Sequence, residues 1–264
     1  MLIGCHATDR ANTLEVHMLS IGNADCFLLK QGDCAMLIDS GNPEDADRVI
    51  AYLHSNGVEH LDAVITTHPH ADHIGGLQGV IQSYSADKLY YAAVPQETEP
   101  TTLMHTRLYE ALQKREVTLC EVSDGTVFSL GAARVEIYPT ADWEDANDCS
   151  LITRVSYADE HILFMGDATE KAQNALLASG RDIQATVIKM SHHGGRINST
   201  RKLLDAVDPQ IALIPCGVEP QYQNPHFDTI NALRERDIRY YCSDVCGDTV
   251  LTVRASGERF IETA

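Results

Sequence analysis

Apolar positions along this chain fall in short runs separated by polar turns, and the runs switch between a period of two and helix-like spacing. Glu15 to Ile21, Asp25 to Lys30 and Cys34 to Asp39 predict three opening strands, with Gly22-Asn23-Ala24 as the first turn. Between Pro43 and Asn56, Ala46, Val49, Ile50 and Leu53 recur at helical intervals, and Gly57 supplies a stop. Leu61 to Ile65 predicts a buried strand, Leu77 to Tyr84 a helix, Lys88 to Val94 a strand and Thr101 to Arg115 a helix. Pro95 to Thr102 is a polar connection, either a plain surface loop or part of a pocket rim. The second half repeats the alternation. Strands are predicted at Val117 to Val122, Thr126 to Leu130, Ala133 to Tyr138, Ser150 to Tyr157, His161 to Met165, Ala185 to Met190 and Gln210 to Pro215. Helices are predicted at Glu170 to Ala178, Ser199 to Ala206 and Asp228 to Arg236, and further strands close the chain. Strand-rich halves with helices interposed in each predict an α/β fold: two mixed sheets face to face with helices on the outer faces, a four-layer αβ/βα sandwich.

Composition bounds this picture without changing it. With 264 residues, 44% of them hydrophobic, the chain can bury a large core, and no low-complexity linker divides it. Residues 14–264 are expected to form one domain after an N-terminal extension, 1–13. No apolar stretch approaches the roughly 20 residues that span a bilayer. The formal net charge of −18 disfavours nucleic acid as a partner, because the summed field repels polyanions unless local cations offset it. Eight cysteines (Cys5, Cys26, Cys34, Cys120, Cys149, Cys216, Cys242, Cys246) lack CxxC spacing, and buried free thiols are expected. The start, Leu2-Ile3-Gly4-Cys5, either matches the end of a lipoprotein signal by chance or marks an exported origin.

The chemistry concentrates in Thr66-Thr67-His68-Pro69-His70-Ala71-Asp72-His73-Ile74-Gly75-Gly76, on a strand-to-helix connection. In an extended segment His68 and His70 face one way, and a turn at Asp72-His73 re-aims the next pair. Two pairs of neutral imidazole and carboxylate donors facing one space suggest two divalent metal ions, zinc or manganese among them, rather than a closed thiolate site.

The HxHxDH pattern followed by Gly-Gly resembles the signature of metallo-β-lactamase-fold hydrolases. The resemblance implies that His68 and His70 serve one metal and Asp72 and His73 the other. It implies that Asp39, after the apolar run 35–38, braces the metal loop; a turn or helix-capping Asp is the plainer alternative. It further implies that Asp167, in Leu163-Phe164-Met165-Gly166-Asp167, bridges both ions, and that one of His192 and His193 completes the second site. Loop spacing leaves open which of that pair coordinates and which moves a proton. The segments Ile21-Gly22-Asn23-Ala24-Asp25, Asn147-Asp148-Cys149-Ser150-Leu151, His192-His193-Gly194 and Tyr222-Gln223-Asn224-Pro225-His226 follow the order seen in the hydrolase domain of ComEC-type DNA-uptake proteins. The likeness extends to stand-alone relatives and phosphorylcholine esterases.

Two departures matter. Many enzymes of this fold offer a third histidine to the first metal before the Gly-Asp strand, where this chain has Asn147-Asp148-Cys149-Ser150. Either Asp148 substitutes as an oxygen ligand, leaving a harder site friendlier to manganese, or the first site is weak or empty. Near the C-terminus, Asn224-Pro225-His226 stands in place of Gly-His-Pro, making His226 a weaker candidate for substrate binding or proton donation. The resemblance implies hydrolysis through a water acidified between two metals, with Asp72, His192, His193 and His226 as catalytic candidates. The expected substrate is a small molecule or a phosphodiester; Lys189, Arg196, Arg201 and Lys202 either contact its phosphate or form a solvated helix face. An ester, thioester, lactone or β-lactam is the alternative, and a catalytically silent metal-binding module the third reading.

Overall fold

The computed structural model describes residues 12–92, 102–122, 125–140, 145–196, 201–218 and 223–264. The Leu2–Cys5 start, the polar connection up to residue 101, the first part of the loop before Asp148, the expected helix start at Ser199 and the Tyr222 position lie outside them.

The opening strands are β1 (Thr13–Met18), β2 (Phe27–Gln31) and β3 (Cys34–Ile38), followed by helix α1 (Ala46–Ser55) and strand β4 (His60–Thr66). Next come the short helix α2 (Ala71–Ile74), α3 (Leu77–Ser83), β5 (Ser85–Ala92), α4 (Leu103–Lys114) and β6 (Thr118–Val122). The second half comprises β7 (Thr126–Leu130), β8 (Ala133–Tyr138), β9 (Ile152–Tyr157), β10 (Glu160–Phe164), α5 (Glu170–Ala178), β11 (Val187–Lys189), α6 (Arg201–Val207), β12 (Ile211–Ile214), α7 (Phe227–Arg234) and β13 (Arg239–Cys242). Helix α8 (Ser243–Cys246) and strands β14 (Thr249–Arg254) and β15 (Arg259–Thr263) end the chain. Most predicted strands are shorter in the structure, because ends such as Leu19-Ser20-Ile21 and Pro215 turn out of the ladder before the apolar run stops.

One sheet has the order β15-β14-β1-β2-β3-β4-β5-β6 and the other β13-β12-β11-β10-β9-β8-β7. Both are mixed: β3 to β6 and β10 to β13 run parallel to their neighbours, while the rest form antiparallel meanders. The facing surfaces interdigitate through Val16, Met18, Phe27, Leu29 and Ile38 on one side and Val135, Val155, Ile162, Phe164 and Val187 on the other. Phe27 and Phe164 meet edge to face across the interface, with ring centroids 5.2 Å apart. Intervening residues such as Leu28, Leu37 and Val64 point outward under α1, α3 and α4, and Leu163, Ile188 and Ala212 point under α5, α6 and α7. The central strands are therefore buried on both faces, which is why their sequences read as nearly unbroken apolar runs. The four-layer sandwich expected from the alternation is the architecture found. Parallel strands of both sheets deliver their C-terminal ends to one rim, the position where open α/β sheets present polar loops.

Candidate metal centre

The rim is built first around Asp39, immediately after β3, in a left-handed conformation with φ 58°. That conformation is costly for a residue with a Cβ, and it turns the carboxylate back under the loop that follows β4. Its Oδ1 accepts the Thr67 amide at 2.8 Å, and its Oδ2 accepts the Thr67 hydroxyl at 2.6 Å and the His73 Nδ1–H at 2.7 Å. Asp39 thereby fixes the His73 ring with Nδ1 protonated and Nε2 aimed into the rim. The Gly75-Gly76 pair permits this approach. A Cβ on Gly75 would lie 2.4 Å from Pro43 Cδ and one on Gly76 2.3 Å from the Ser40 carbonyl, so only glycine lets α2 sit this close to the loop after β3.

From the other sheet, Gly166 (φ 50°) turns the chain after β10 so that Asp167 points into the same space. Past β11, His192 (φ 47°, ψ 53°) and His193 (φ 54°, ψ 26°) form two successive left-handed residues, a turn that sends their imidazoles to different places. His193 is buried. Its Nδ1 donates to the Pro215 carbonyl at 2.9 Å, leaving Nε2 3.4 Å from Asp72 Oδ2 and 3.7 Å from Asp167 Oδ2. His73 Nε2 lies 3.2 Å from Asp167 Oδ2 and 3.8 Å from Asp72 Oδ2. One donor atom from each of Asp72, His73, Asp167 and His193 falls within 4.8 Å of all the others. A tetrahedral ion with bonds near 2.0–2.1 Å separates its ligands by about 3.3 Å, close to the shorter of these distances. His73 Nε2 and Asp167 Oδ1 are buried with no hydrogen bond of good geometry, only the ionic contacts to Asp167 Oδ2 at 3.2 Å and to Lys189 at 3.5 Å, and a divalent cation would satisfy the imidazole nitrogen. The residues fit such an ion.

The charges agree with this reading. Burial alone would push the His73 pKa down, but Asp167, Asp39 and Asp25 outweigh it and hold it well above the ordinary imidazole value. His193 is raised for the same reason: Asp167 and Asp72 overcome its burial. Burial opposes ionisation of Asp72 and Asp167, yet the neighbouring imidazoles hold both carboxyls below the usual range. Four donors thus stand ready for a cation, with protons on the imidazoles as its competitors.

Beneath the cluster lies a pair with no counterpart in the expected site. Lys189 is 1% exposed; its ammonium donates to the Gly166 carbonyl at 2.8 Å, pairs tightly with Asp25 and stands 3.5 Å from Asp167 Oδ1. Asp167 therefore turns Oδ1 to Lys189 and Oδ2 to the histidines. A role in bridging two ions would rest on that single oxygen rather than on one oxygen per ion. Lys189 is not available to substrate. Arg196 pairs with Asp228 at 3.1 Å and Arg201 with Glu235. The basic concentration read from the sequence thus consists of one buried ammonium, two arginines neutralised on the helix side and Lys202 on α6.

The remaining expected residues divide. His68 is buried, His70 exposed, and His68 Nε2 sits 3.0 Å from His70 Nδ1. Burial, with the nearby His73, holds the His68 pKa well below its ordinary value, so it is a neutral imidazole. His192 keeps 38% of its side chain exposed, with Nε2 3.8 Å from Asp167 Oδ2, at the open side of the cluster. Asp148 is buried but accepts the hydroxyl of Thr169, the residue capping α5, and is not among the four clustered donors. His226 caps α7, its Nδ1 accepting the Asp228 amide at 3.2 Å, while its own amide donates to the Gly194 carbonyl at 3.0 Å. It steadies the His193 turn through its backbone. Asp25 and Lys189 carried no assigned place beside the metals. The signal available for them was a polar residue closing the Ile21–Asp25 segment and a lysine inside the apolar run Val187–Met190.

Residues 20–218 match the family model of the Metallo-beta-lactamase superfamily, and the chain belongs to that superfamily. Among curated proteins it is similar to "ComE operon protein 3" of Bacillus subtilis (strain 168), 25% identical over 203 residues covering 75% of this chain and 25% of that protein. It is also similar to "Competence protein ComA" of Neisseria gonorrhoeae, 24% identical over 240 residues covering 89% of this chain and 32% of that protein. The chain thus spans a quarter to a third of the length of these relatives. Among solved structures, the metallo-beta-lactamase fold protein YhfI from Bacillus subtilis superposes with a TM-score of 0.57 at 16% identity, over 95% of this chain and 99% of that one. No helix among the described residues is long and apolar enough to cross a membrane.

Proposed function

We propose that the protein is a metal-dependent hydrolase whose substrate is a phosphodiester. The observation that carries this reading is the convergence of Asp72, His73, Asp167 and His193 from both sheets onto one point, with the His73 Nε2 buried and without a hydrogen bond of good geometry. A divalent cation held there supplies Lewis-acid polarisation of a phosphoryl or carbonyl oxygen and a more acidic water. The chain's own residues do the rest. Asp39 and the Pro215 carbonyl orient the two imidazoles, and Lys189 balances the buried carboxylates Asp25 and Asp167. His192, on the open side, is placed to hand a proton to a departing alkoxide. His68 and His70 are the donors for a second ion, zinc or manganese, beside the first.

The phosphodiester preference rests on motif wording shared with ComEC-type hydrolase domains, and on the likeness to a relative named as a competence protein. The −18 net charge and the acid-paired arginines favour a small or single-stranded phosphodiester over a duplex held along an extended basic groove. A second reading has its own observation. A small cavity of about 100 Å³ beside His68 is lined by apolar Leu89, Leu108, Leu112 and Leu119, which suits a short acyl group of an ester or lactone. Turnover of bis-p-nitrophenyl phosphate by metal-loaded protein, abolished in Asp167→Ala, tests the first reading. Turnover of nitrocefin or an acyl lactone without phosphodiester cleavage would replace it with the second. Absence of turnover on all three would leave a metal-binding module.

A further inference from the structure

Behind His193, on the far side of the Pro215 carbonyl, three donor atoms converge that the centre described above does not use. Cys216 follows β12, Cys242 ends the adjacent parallel strand β13, and Asp244 lies in α8. One atom from each lies within 4.8 Å of the other two, and Cys216 Sγ stands 3.3 Å from Asp244 Oδ1. A tetrahedral zinc-class ion with Zn–S near 2.3 Å and Zn–O near 2.0 Å sets its sulfur and oxygen ligands about 3.5 Å apart. The backbone around the sulfurs is held in place. The Ser243 hydroxyl accepts the Cys216 amide and donates to the Cys216 carbonyl, both at 2.9 Å, and the Ser243 carbonyl accepts the Ser20 hydroxyl at 2.9 Å. Both thiols are buried while Asp244 is exposed, so an ion here would be walled by sulfur on the inside and open to water outside. Two thiolates and a carboxylate are a soft-to-borderline donor set, unlike the imidazole and carboxylate set of the rim.

We propose that Cys216, Cys242 and Asp244 form a separate site for a thiophilic divalent cation of the zinc class, linking the ends of β12 and β13. Binding releases the two thiol protons to solvent. Because Cys216 is joined to Pro215, whose carbonyl orients His193, an ion here also steadies that histidine from behind.

The test is titration of the full chain, reduced and stripped of metal, with cobalt(II), read by the thiolate-to-cobalt charge-transfer absorption that a His/Asp centre does not give. The wild type is expected to show this band, and Cys216→Ala/Cys242→Ala to lose the band together with one equivalent of cobalt per chain. Asp244→Asn, a surface change that spares the fold, is expected to weaken the band's apparent dissociation constant by about 10–100-fold. Absence of the band in the wild type would overturn the proposal, as would a band unchanged in Asp244→Asn. A Cys216–Cys242 disulfide in protein that takes up no thiolate-bound cobalt would overturn it in favour of a redox pair. If the double cysteine variant does not fold, the wild type and Asp244→Asn still decide.

Discussion

Replacing Asp39 by Asn tests whether this residue governs the metal through the tautomer of His73. The change conserves volume at a buried position and leaves one acceptor for the Thr67 amide, 2.8 Å from Oδ1 in the native protein. The cost falls on the other oxygen. An NH2 in the place of Oδ2 can still donate to the Thr67 hydroxyl, but it opposes the His73 Nδ1–H that Oδ2 accepts at 2.7 Å. Two donors cannot share that contact. Either the bond is lost, leaving a buried N–H unpaired, or His73 moves its proton to Nε2, the atom that faces Asp167 and Asp72 and must be bare to bind a cation. Losses of such orienting partners lower metal affinity by about 10–100-fold, or about 1.4–2.7 kcal/mol. The assay is a competition titration of metal-free protein with zinc against a chromophoric chelator, alongside thermal unfolding to show that the variant is folded. An affinity within about twofold of wild type in a folded Asp39→Asn variant would refute the reasoning, since the tautomer would then not depend on Asp39.

Three further predictions use the same geometry. His193→Ala should lose the tightly held metal by elemental analysis, while His192→Ala should keep it and lose turnover; the reverse pattern would exchange their roles. Lys189→Met should destabilise metal-free protein by about 3–5 kcal/mol in urea unfolding, because it strands Asp25 and Asp167 as buried charges, and a loss under about 1 kcal/mol would mean the pair is less buried than it is found here. In metal-free protein the cluster should also set the pH dependence of stability. His73 and His193 have folded values raised above an unfolded value of about 6.5, so their contribution is present below about pH 6.5 and lost as pH rises through the folded values. Asp72 and Asp167 are depressed, so theirs is present above about pH 4 and lost as pH falls through the folded values. Thermal midpoints with chelator present should therefore be highest between about pH 4 and 6.5; a midpoint climbing steadily from pH 6 to 8 would contradict these signs.

The sandwich was legible in the sequence because strands covered on both faces and helices covered on one leave different apolar periods. The metal loop was legible because imidazoles and carboxylates that share a short segment declare their chemistry by spacing. What spacing could not convey is decided by backbone and by long-range pairing. Two adjacent left-handed residues separate His192 from His193, and nothing in a His-His-Gly string announces that turn. Lys189 reads as a solvated cation because a lysine is normally exposed, and only the distant Asp25 makes its burial tolerable. Asp148 carries a ligand's side chain at a plausible position but is engaged by the Thr169 hydroxyl. Cys216 and Cys242 lie on neighbouring parallel strands, so their closeness leaves no CxxC trace.

The centre is also a joint between the two halves of the sandwich. Asp72 and His73 come from α2, which follows β4 in one sheet, and Asp167 and His193 follow β10 and β11 in the other, so a cation held by all four would tie the sheets at their rim. Without it, carboxylates from both sheets face one another, and the ammonium of Lys189 together with protons on His73 and His193 must offset them. That arrangement gives a reason for a lysine buried beneath the candidate metal centre: its ammonium is covalently held, and Asp25 and Asp167 keep it charged. It balances Asp25 and Asp167 in either state, whereas the imidazolium protons leave when a metal enters. Metal binding thus exchanges protons for an ion at nearly constant local charge, and linkage requires it to stabilise the folded chain by about 1.4 kcal/mol for each tenfold excess of free metal over its dissociation constant.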